Sequence, residues 1–356
     1  MKEKIRVLVV DDSPYNRKVI SEILESSDKI EVVAKAFDGE DAIRKIVAWE
    51  PDLITLDLEM PGMDGFAVLR WLMANHPVPV LVVSSKESNR SVFKALDLGA
   101  YDFVVKPSRS ASPKLKELEQ ELLSKVLSIP SLHFEKIRER VINAPKIDFP
   151  PLMPLPKGEH SAEIIAIAAS TGGPPAVQYL LTKLPKNLLT PIIVCQHMPP
   201  IFTALFAERL AAVTKKRVKE ASDGEEIIPQ MVFVAPGGKQ VSVITEKNKN
   251  YIKLYEKSPE DKFAPSANHL FHSLADHYGK NALAVILTGM GDDGKEGAMA
   301  IHSAGGKVVA ESEKSAVIYG MPREVAKSGA ADFVLSLEEI PDLIVKFGIF
   351  GMEKLQ

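Results

Sequence analysis

The sequence predicts an α/β protein built from two doubly wound parallel-sheet domains. Three observations carry that expectation. Short apolar, β-branched runs alternate with amphipathic stretches over residues 1–128, the alternation stops in a proline-rich interval, and it resumes after Glu163 and continues to about residue 347.

In the first half the strand candidates are IRVLVV (5–10), EVVAKA (31–36), LITLD (53–57), VLVVS (80–84) and DFVVK (102–106), each followed by a helix-like segment. The last helix, SPKLKELEQELLSKVLS (112–128), carries Leu115, Leu118, Leu122 and Val126 at helical spacing. Ser112 and Pro113 stand as its N-cap and first residue, which closes a domain over 1–128. Prolines at 130, 145, 150, 151, 154 and 156 surround one short helix candidate containing Phe134, Ile137 and Val141, so 129–159 reads as a linker. A second domain is expected over 160–350, with 351–356 as a tail. The two halves share a pattern but no motif, so there is no internal repeat.

Composition excludes several classes. The 356 residues carry a formal charge of −3, and KKR at 215–217 is the densest basic run, which fits a solvated helix end rather than a nucleic-acid surface. IRVLVV is too short for a signal peptide or a membrane span and runs into Asp11 and Asp12. A single cysteine, Cys195, can form no internal disulfide, and cytoplasmic residence is the expectation. Lying within the apolar run IIVCQH, Cys195 reads as a buried structural residue, with a nucleophilic role as the alternative.

The chemistry of the second half gathers at strand ends. IIAIAAST (164–171) ends in Ser170, Thr171, Gly172 and Gly173; IIVCQH (192–197) ends on His197; ALAVILTG (282–289) is followed by MGDDG with Asp292 and Asp293. Taken alone, the Ser170 turn fits a nucleophile, a phosphate cradle of Rossmann type or a tight turn. Carboxyl ends of strands in an open parallel sheet line one crevice, so three such groups in the order Ser, His, Asp point to a nucleophile, its base and the group that orients the base. The run is not Gly-x-Ser-x-Gly, and the chain order differs from that of the α/β-hydrolases. His269, His272 and His277 share one helix candidate after Ser266, expected to be an amphipathic cover rather than a metal site. Gly237 and Gly238 read as turn formers.

The first half carries Asp11 and Asp12 after its first strand, Asp57 after its third, Ser84 at the end of its fourth and Lys106 at the end of its fifth. Three carboxylates in one pocket repel unless a divalent cation neutralises them, and hard oxygen ligands suit Mg²⁺. A hydroxyl and an ammonium opposite could hold the oxygens of a phosphoryl group.

VVDDS, LDLEMPGMDG, VVSS and VVKP together resemble the receiver domain of bacterial two-component response regulators, a flavodoxin-like fold. That resemblance implies that Asp57 is the phospho-acceptor, that Asp11 and Asp12 with Asp57 hold Mg²⁺, that Ser84 and Lys106 contact the phosphoryl group, and that Phe103 is the switch aromatic. AASTGGP, QHMPP with FAERL, APGG, TGMGDDG and YGMPRE resemble the catalytic domain of the chemotaxis protein-glutamate methylesterases, a Rossmann-like three-layer hydrolase domain. The implied activity is phosphorylation-regulated hydrolysis of glutamate γ-methyl esters on chemoreceptors, with glutamine deamidation beside it, serving chemotactic adaptation. Ser170, His197 and Asp293 are the implied triad, Asp292 a weaker contender for the acid, and Thr171 and Met290 the implied oxyanion or neighbouring site, with backbone N–H groups of His197 and Met290 as donors. The implied partners are methylated chemoreceptor cytoplasmic helices as substrate and a chemotaxis histidine kinase as phosphodonor, with no nucleic acid and no membrane insertion. The chain is expected to be monomeric and the hydrolysis to need no cofactor. Two other classes stay open on the residues alone: a response regulator with a DNA- or nucleotide-binding output domain, and an enzyme acting on small esters.

Overall fold

The computed structural model describes residues 4–85, 89–106, 113–142 and 163–350. Ser112, the prolines at 145–156 and the tail 351–356 lie outside them. The chain divides into two units, Met1–Ala144 and Pro145–Gln356.

In the first unit, Ile5–Val10 (β1), Ile30–Ala36 (β2), Leu53–Leu56 (β3), Val80–Ser84 (β4) and Asp102–Val105 (β5) form a sheet in the order β2-β1-β3-β4-β5. All four pairings are parallel. β3 and β4 are buried along their whole length, which is why they read as unbroken apolar runs rather than alternating ones. Pro14–Glu25 (α1), Gly39–Trp49 (α2) and Gly65–Asn75 (α3) start at Ser13, Asp38 and Asp64, whose side chains accept the N–H of Asn16, Asp41 and Ala67. Asn89–Asp97 (α4) and Pro113–Leu127 (α5) complete the alternation, with Leu118, Leu122 and Val126 buried. Phe134–Ile142 (α6), the short helix expected within 129–159, also forms, with Ile137 buried, and the first unit runs to Ala144. The expected linker is therefore structured over its first part: a short apolar helix face finds cover.

In the second unit, Ile164–Ala169 (β6), Ile192–Gln196 (β7), Arg217–Glu220 (β8), Met231–Val234 (β9), Ala282–Ile286 (β12), Lys307–Glu311 (β13) and Phe333–Leu335 (β14) make a seven-stranded sheet in the order β14-β13-β12-β6-β7-β9-β8, parallel throughout. β6 is flanked by β7 on one side and β12 on the other, so the strand order reverses there and opens a crevice beyond its carboxyl end. Gly173–Lys183 (α7), Phe202–Thr214 (α8), Ala267–Tyr278 (α9), Lys295–Ser303 (α10), Met321–Lys327 (α11) and Ile340–Phe350 (α12) surround the sheet elements in sequence. Between β9 and α9 the simple alternation fails. Lys239–Glu246 (β10) and Lys249–Glu256 (β11) form a separate antiparallel hairpin. Its two loop residues, Lys247 and Asn248, have φ of 50° and 62°, the left-handed pair that a two-residue turn matching strand twist requires. The apolar side of the hairpin, through Val241, Val243 and Ile252, belongs to the same buried cluster as Phe271 and Leu274 of α9.

Candidate active site and acidic pocket

The first unit brings its implied site residues to the carboxyl edge of its sheet, at the β1/β3 switch point. One carboxylate oxygen from each of Asp11, Asp12 and Asp57 lies within 4.8 Å of the others; Asp11 and Asp57 are buried and Asp12 is exposed. Lys106 extends from the end of β5, its Nζ bonding Asp57 Oδ2 and lying 2.9 Å from Asp11 Oδ2. Ser84 is buried at the end of β4, and its carbonyl accepts the Lys106 N–H. Phe103 is buried on β5, with Lys125 Nζ 5.3 Å above its ring. Burial pushes the Asp57 carboxyl up to about 6; the Lys106 ammonium opposes the rise and the Asp11 charge adds to it.

The crevice of the second unit is set by strand register. Ala169 pairs with Gln196 and Ala168 with Ile286, so the next residues out of β6, β7 and β12 emerge side by side. Ser170 N–H donates to Thr288 O at 3.0 Å. Chain direction then reverses tightly through Gly172, whose φ is 73°, into α7. Gly289 packs against the serine so closely that a Cβ there would stand 2.8 Å from Ser170 Cβ. The YGMPRE segment fastens this loop, since Gly289 O accepts the N–H groups of Gly320 and Met321.

His197 and Asp293 are joined by a 2.7 Å bond from His197 Nε2 to Asp293 Oδ2. Asp293 is buried and collects further donors at the start of α9: Ala267 N–H at 2.7 Å, Asn268 N–H at 3.0 Å and Ser266 Oγ at 2.8 Å, with its own Gly294 N–H at 3.1 Å. Burial alone would raise this carboxyl, but the His197 bond and charge and the backbone donors outweigh it and leave it at about 2. Asp292 points the other way, largely exposed, with Lys262 Nζ at 3.8 Å. Phe263 stacks on the His197 ring at 4.3 Å and 8°. With Nε2 committed to Asp293, His197 Nδ1 is buried and has no hydrogen-bond partner among the described residues.

One expectation is corrected. His197 N–H donates to Ala169 O at 3.0 Å as the last rung between β6 and β7, so it is engaged in the sheet and not free for an oxyanion. Met290 N–H, in the loop after β12, has no partner among the described residues. Thr171 is buried beside Ser170, its carbonyl accepting Thr288 Oγ1 at 3.0 Å. Cys195 is buried inside β7, where burial and the Asp293 charge push its thiol well up, so it stays protonated. His277 bonds Thr245 and His269 packs edge-on to Tyr255. A Cβ at Gly237 would stand 2.5 Å from Met198 O, and Gly238 has φ of 80°: the APGG turn seats the MPP segment that follows His197.

Phe263, Ser266 and Gln196 were not anticipated as site residues. Only Ser266 left a signal, as the cap of a helix, and its hydroxyl indeed serves α9 and Asp293 together.

The two units thus hold, each at the carboxyl edge of its own parallel sheet, a three-aspartate pocket closed by Lys106 in the first and a Ser170, His197 and Asp293 grouping in the second. Residues 7–117 match the response regulator receiver domain and residues 165–344 the CheB methylesterase family. A protein-glutamate methylesterase/protein-glutamine glutaminase of Geobacter sulfurreducens is 40% identical over 96% of this chain and 97% of its own, and one of Myxococcus xanthus is 43% identical over 94% and 95%. The crystal structure of the Thermotoga maritima CheB methylesterase catalytic domain, 38% identical, superposes with a TM-score of 0.51 on 52% of this chain and 99% of that domain. The chain belongs to the CheB methylesterase family, with a receiver domain in front, and is a carboxylic ester hydrolase.

Two outcomes follow from this geometry. Gly289→Ala should cut turnover by about 100-fold, because displacing a nucleophile by about 1 Å has that consequence; initial-rate measurements beside an unfolding midpoint check it, and an unchanged rate would contradict the packing described. For Asp57 the raised folded-state value means that the ionised form is disfavoured in the fold: without a cation, its contribution to stability is best below the unfolded value of 3.8 and falls away as pH rises through about 6. Millimolar Mg²⁺ should therefore raise the receiver melting temperature clearly at pH 7.5 and little at pH 5, where Asp57 is protonated. Equal shifts at both values, read by calorimetry, would contradict the assignment.

Proposed function

We propose that the protein hydrolyses glutamate γ-methyl esters on the cytoplasmic helices of methyl-accepting chemoreceptors by Ser-His-Asp covalent catalysis, and deamidates specific receptor glutamines at the same site. The observation that carries this reading is the His197–Asp293 bond: the carboxylate holds Nε2 and leaves Nδ1 as the nitrogen open to a proton.

In this mechanism His197 Nδ1 takes the Ser170 Oγ proton as the oxygen attacks the ester carbonyl. The tetrahedral oxyanion is held by N–H groups near the α7 N-terminus and the Met290 loop, where donors and the helix dipole favour negative charge. The imidazolium is stabilised by Asp293 and returns its proton to the leaving methoxide, which departs as methanol. Water, deprotonated by the same nitrogen, then cleaves the acyl-enzyme and releases glutamate. A glutamine amide presents the same carbonyl and loses ammonia instead.

Regulation is assigned to the first unit. Asp11, Asp12 and Asp57 would hold Mg²⁺ through hard carboxylate oxygens, and their mutual repulsion is the reason the set fits a divalent cation. A divalent ion held by these carboxylates would supply charge neutralisation for an incoming phosphoryl group. Asp57 accepts that group from a chemotaxis histidine kinase, Lys106 and Ser84 contact its oxygens, and Phe103 responds to the displaced Ser84.

Ser170→Ala or His197→Ala should lower methanol release from methylated receptor membranes by a factor on the order of 10⁴ or more, because triad members act as a unit. Asp293→Asn should fall on the order of 10⁴-fold, since an amide cannot accept all the donors at α9 and loses the tautomer control, while Asp292→Asn stays near wild type. The reverse ranking would overturn the choice of acid. Activity on small free methyl esters equal to that on receptor would favour a general esterase.

Asp57→Asn should keep basal hydrolysis and lose its stimulation by an acyl phosphate with Mg²⁺. In the same assay, fragment 145–356 should exceed the unphosphorylated whole chain in kcat/KM. A fragment no faster than that chain would mean that the receiver acts only positively.

A further inference from the structure

Gln196 ends β7 and is 1% exposed. A primary amide at the end of a strand whose other four residues are apolar needs a reason. Its Nε2 donates to Ser170 O at 2.9 Å and to His197 O at 3.1 Å. Both partners are backbone acceptors, which fixes the amide orientation: only the NH₂ end can face two carbonyls. The other end is buried, and Oε1 has no hydrogen-bond partner among the described residues. It also packs so closely on α7 that a Cβ at Gly173 would stand 2.2 Å from Oε1.

These contacts do not account for themselves as stabilisation. Two amide bonds to backbone carbonyls bring a modest net gain, and a carbonyl stripped of water and left unpaired carries a penalty of the same size. An apolar side chain of similar volume would fill the space without the orphaned oxygen. What it could not do is hold the nucleophile turn and the base turn with one group.

We propose that Gln196 is a positioning residue that fixes the Ser170 turn relative to His197. The proposal rests on the Ser170–His197 reading given above and deepens it. Ser170 Oγ must meet His197 Nδ1 in each turnover, yet the two side chains leave different strands. Backbone rungs set the spacing of those strands, through His197 N–H to Ala169 O, but that rung ends before Ser170. Gln196 adds the next connection out, from the far side of the turn. An error of about 1 Å between reacting groups is enough to change a rate by about 100-fold, so a clamp with little net stability can still govern turnover.

The experiment compares Gln196→Met, Gln196→Glu and Ser170→Ala in the full-length protein. Its readouts are the melting temperature, kcat and KM on methylated receptor membranes, and the rate at which a fluorophosphonate labels Ser170. For Gln196→Met the expected result is a melting temperature within a few degrees of wild type, KM within about two-fold, and kcat and labelling rate both reduced by about 10- to 100-fold. Gln196→Glu has the same shape. Protonated, the introduced carboxyl donates one bond; ionised, it donates none and repels both carbonyls. The ratio of its kcat to that of wild type should therefore climb as pH falls, a response that loss of packing would not produce. A kcat unchanged in Gln196→Met, with Ser170→Ala inactive, would overturn the clamp and leave the triad standing. A rate loss matched by a large drop in melting temperature, with a flat pH ratio in Gln196→Glu, would also overturn it by making the role structural. Full activity in Ser170→Ala would remove the reading beneath it.

Discussion

The second unit depends on where one carboxylate is buried. Asp293 leaves the loop after β12 and turns both oxygens into the start of α9, where two helix N–H groups, a serine hydroxyl and the His197 ring converge on it. An unpaired carboxylate at that depth would be strongly disfavoured, and each donor offsets part of the desolvation. The same bonds hold the loop after β12, the imidazole after β7 and the first turn of α9 to a common point. Phe263 closes one face of the ring, so His197 has little freedom to turn out of the plane that the Asp293 bond sets.

The two units use one architectural device to opposite electrostatic ends. In each, acidic groups sit beyond the carboxyl edge of a parallel sheet where strand order reverses. Asp293 meets enough donors to stay fully ionised, at about 2. Asp57 meets one strong donor, Lys106, but also the Asp11 charge, and is held near 6. Burial is common to both; the count and sign of the neighbours decides. An ionised carboxylate can steady an imidazolium beside it, whereas one that is disfavoured as an anion gains most from a cation placed against it.

Much of the fold was legible because buried parallel strands leave an unmistakable record: apolar on both faces, short, and broken by residues that chemistry requires at their ends. IRVLVV, LITLD, IIAIAAST and IIVCQH all announced themselves in that way, and so did the places of Ser170, His197 and Asp57. The β10–β11 hairpin was hidden by its charged alternation, in which Val241, Val243 and Ile252 face the core with Leu254 packed against it. What local pattern could not reveal was which backbone groups would already be occupied. His197 N–H looks free in the sequence, and only the register of β6 against β7 assigns it to Ala169. Phe263 and Gln196 are similar cases, ordinary residues whose significance comes from what stands opposite after the chain has folded.

The choice of nitrogen at His197 has a consequence for the resting enzyme. Because the carboxylate binds Nε2, a neutral ring carries its proton there and presents a lone pair at Nδ1. That is the tautomer a histidine side chain already prefers in water. A site whose acid grips Nδ1 must hold the ring in its less stable form between turnovers. This one lets the intrinsic preference of imidazole and the geometry of the fold point in the same direction, so the base proposed at Nδ1 would stand ready before any substrate arrives.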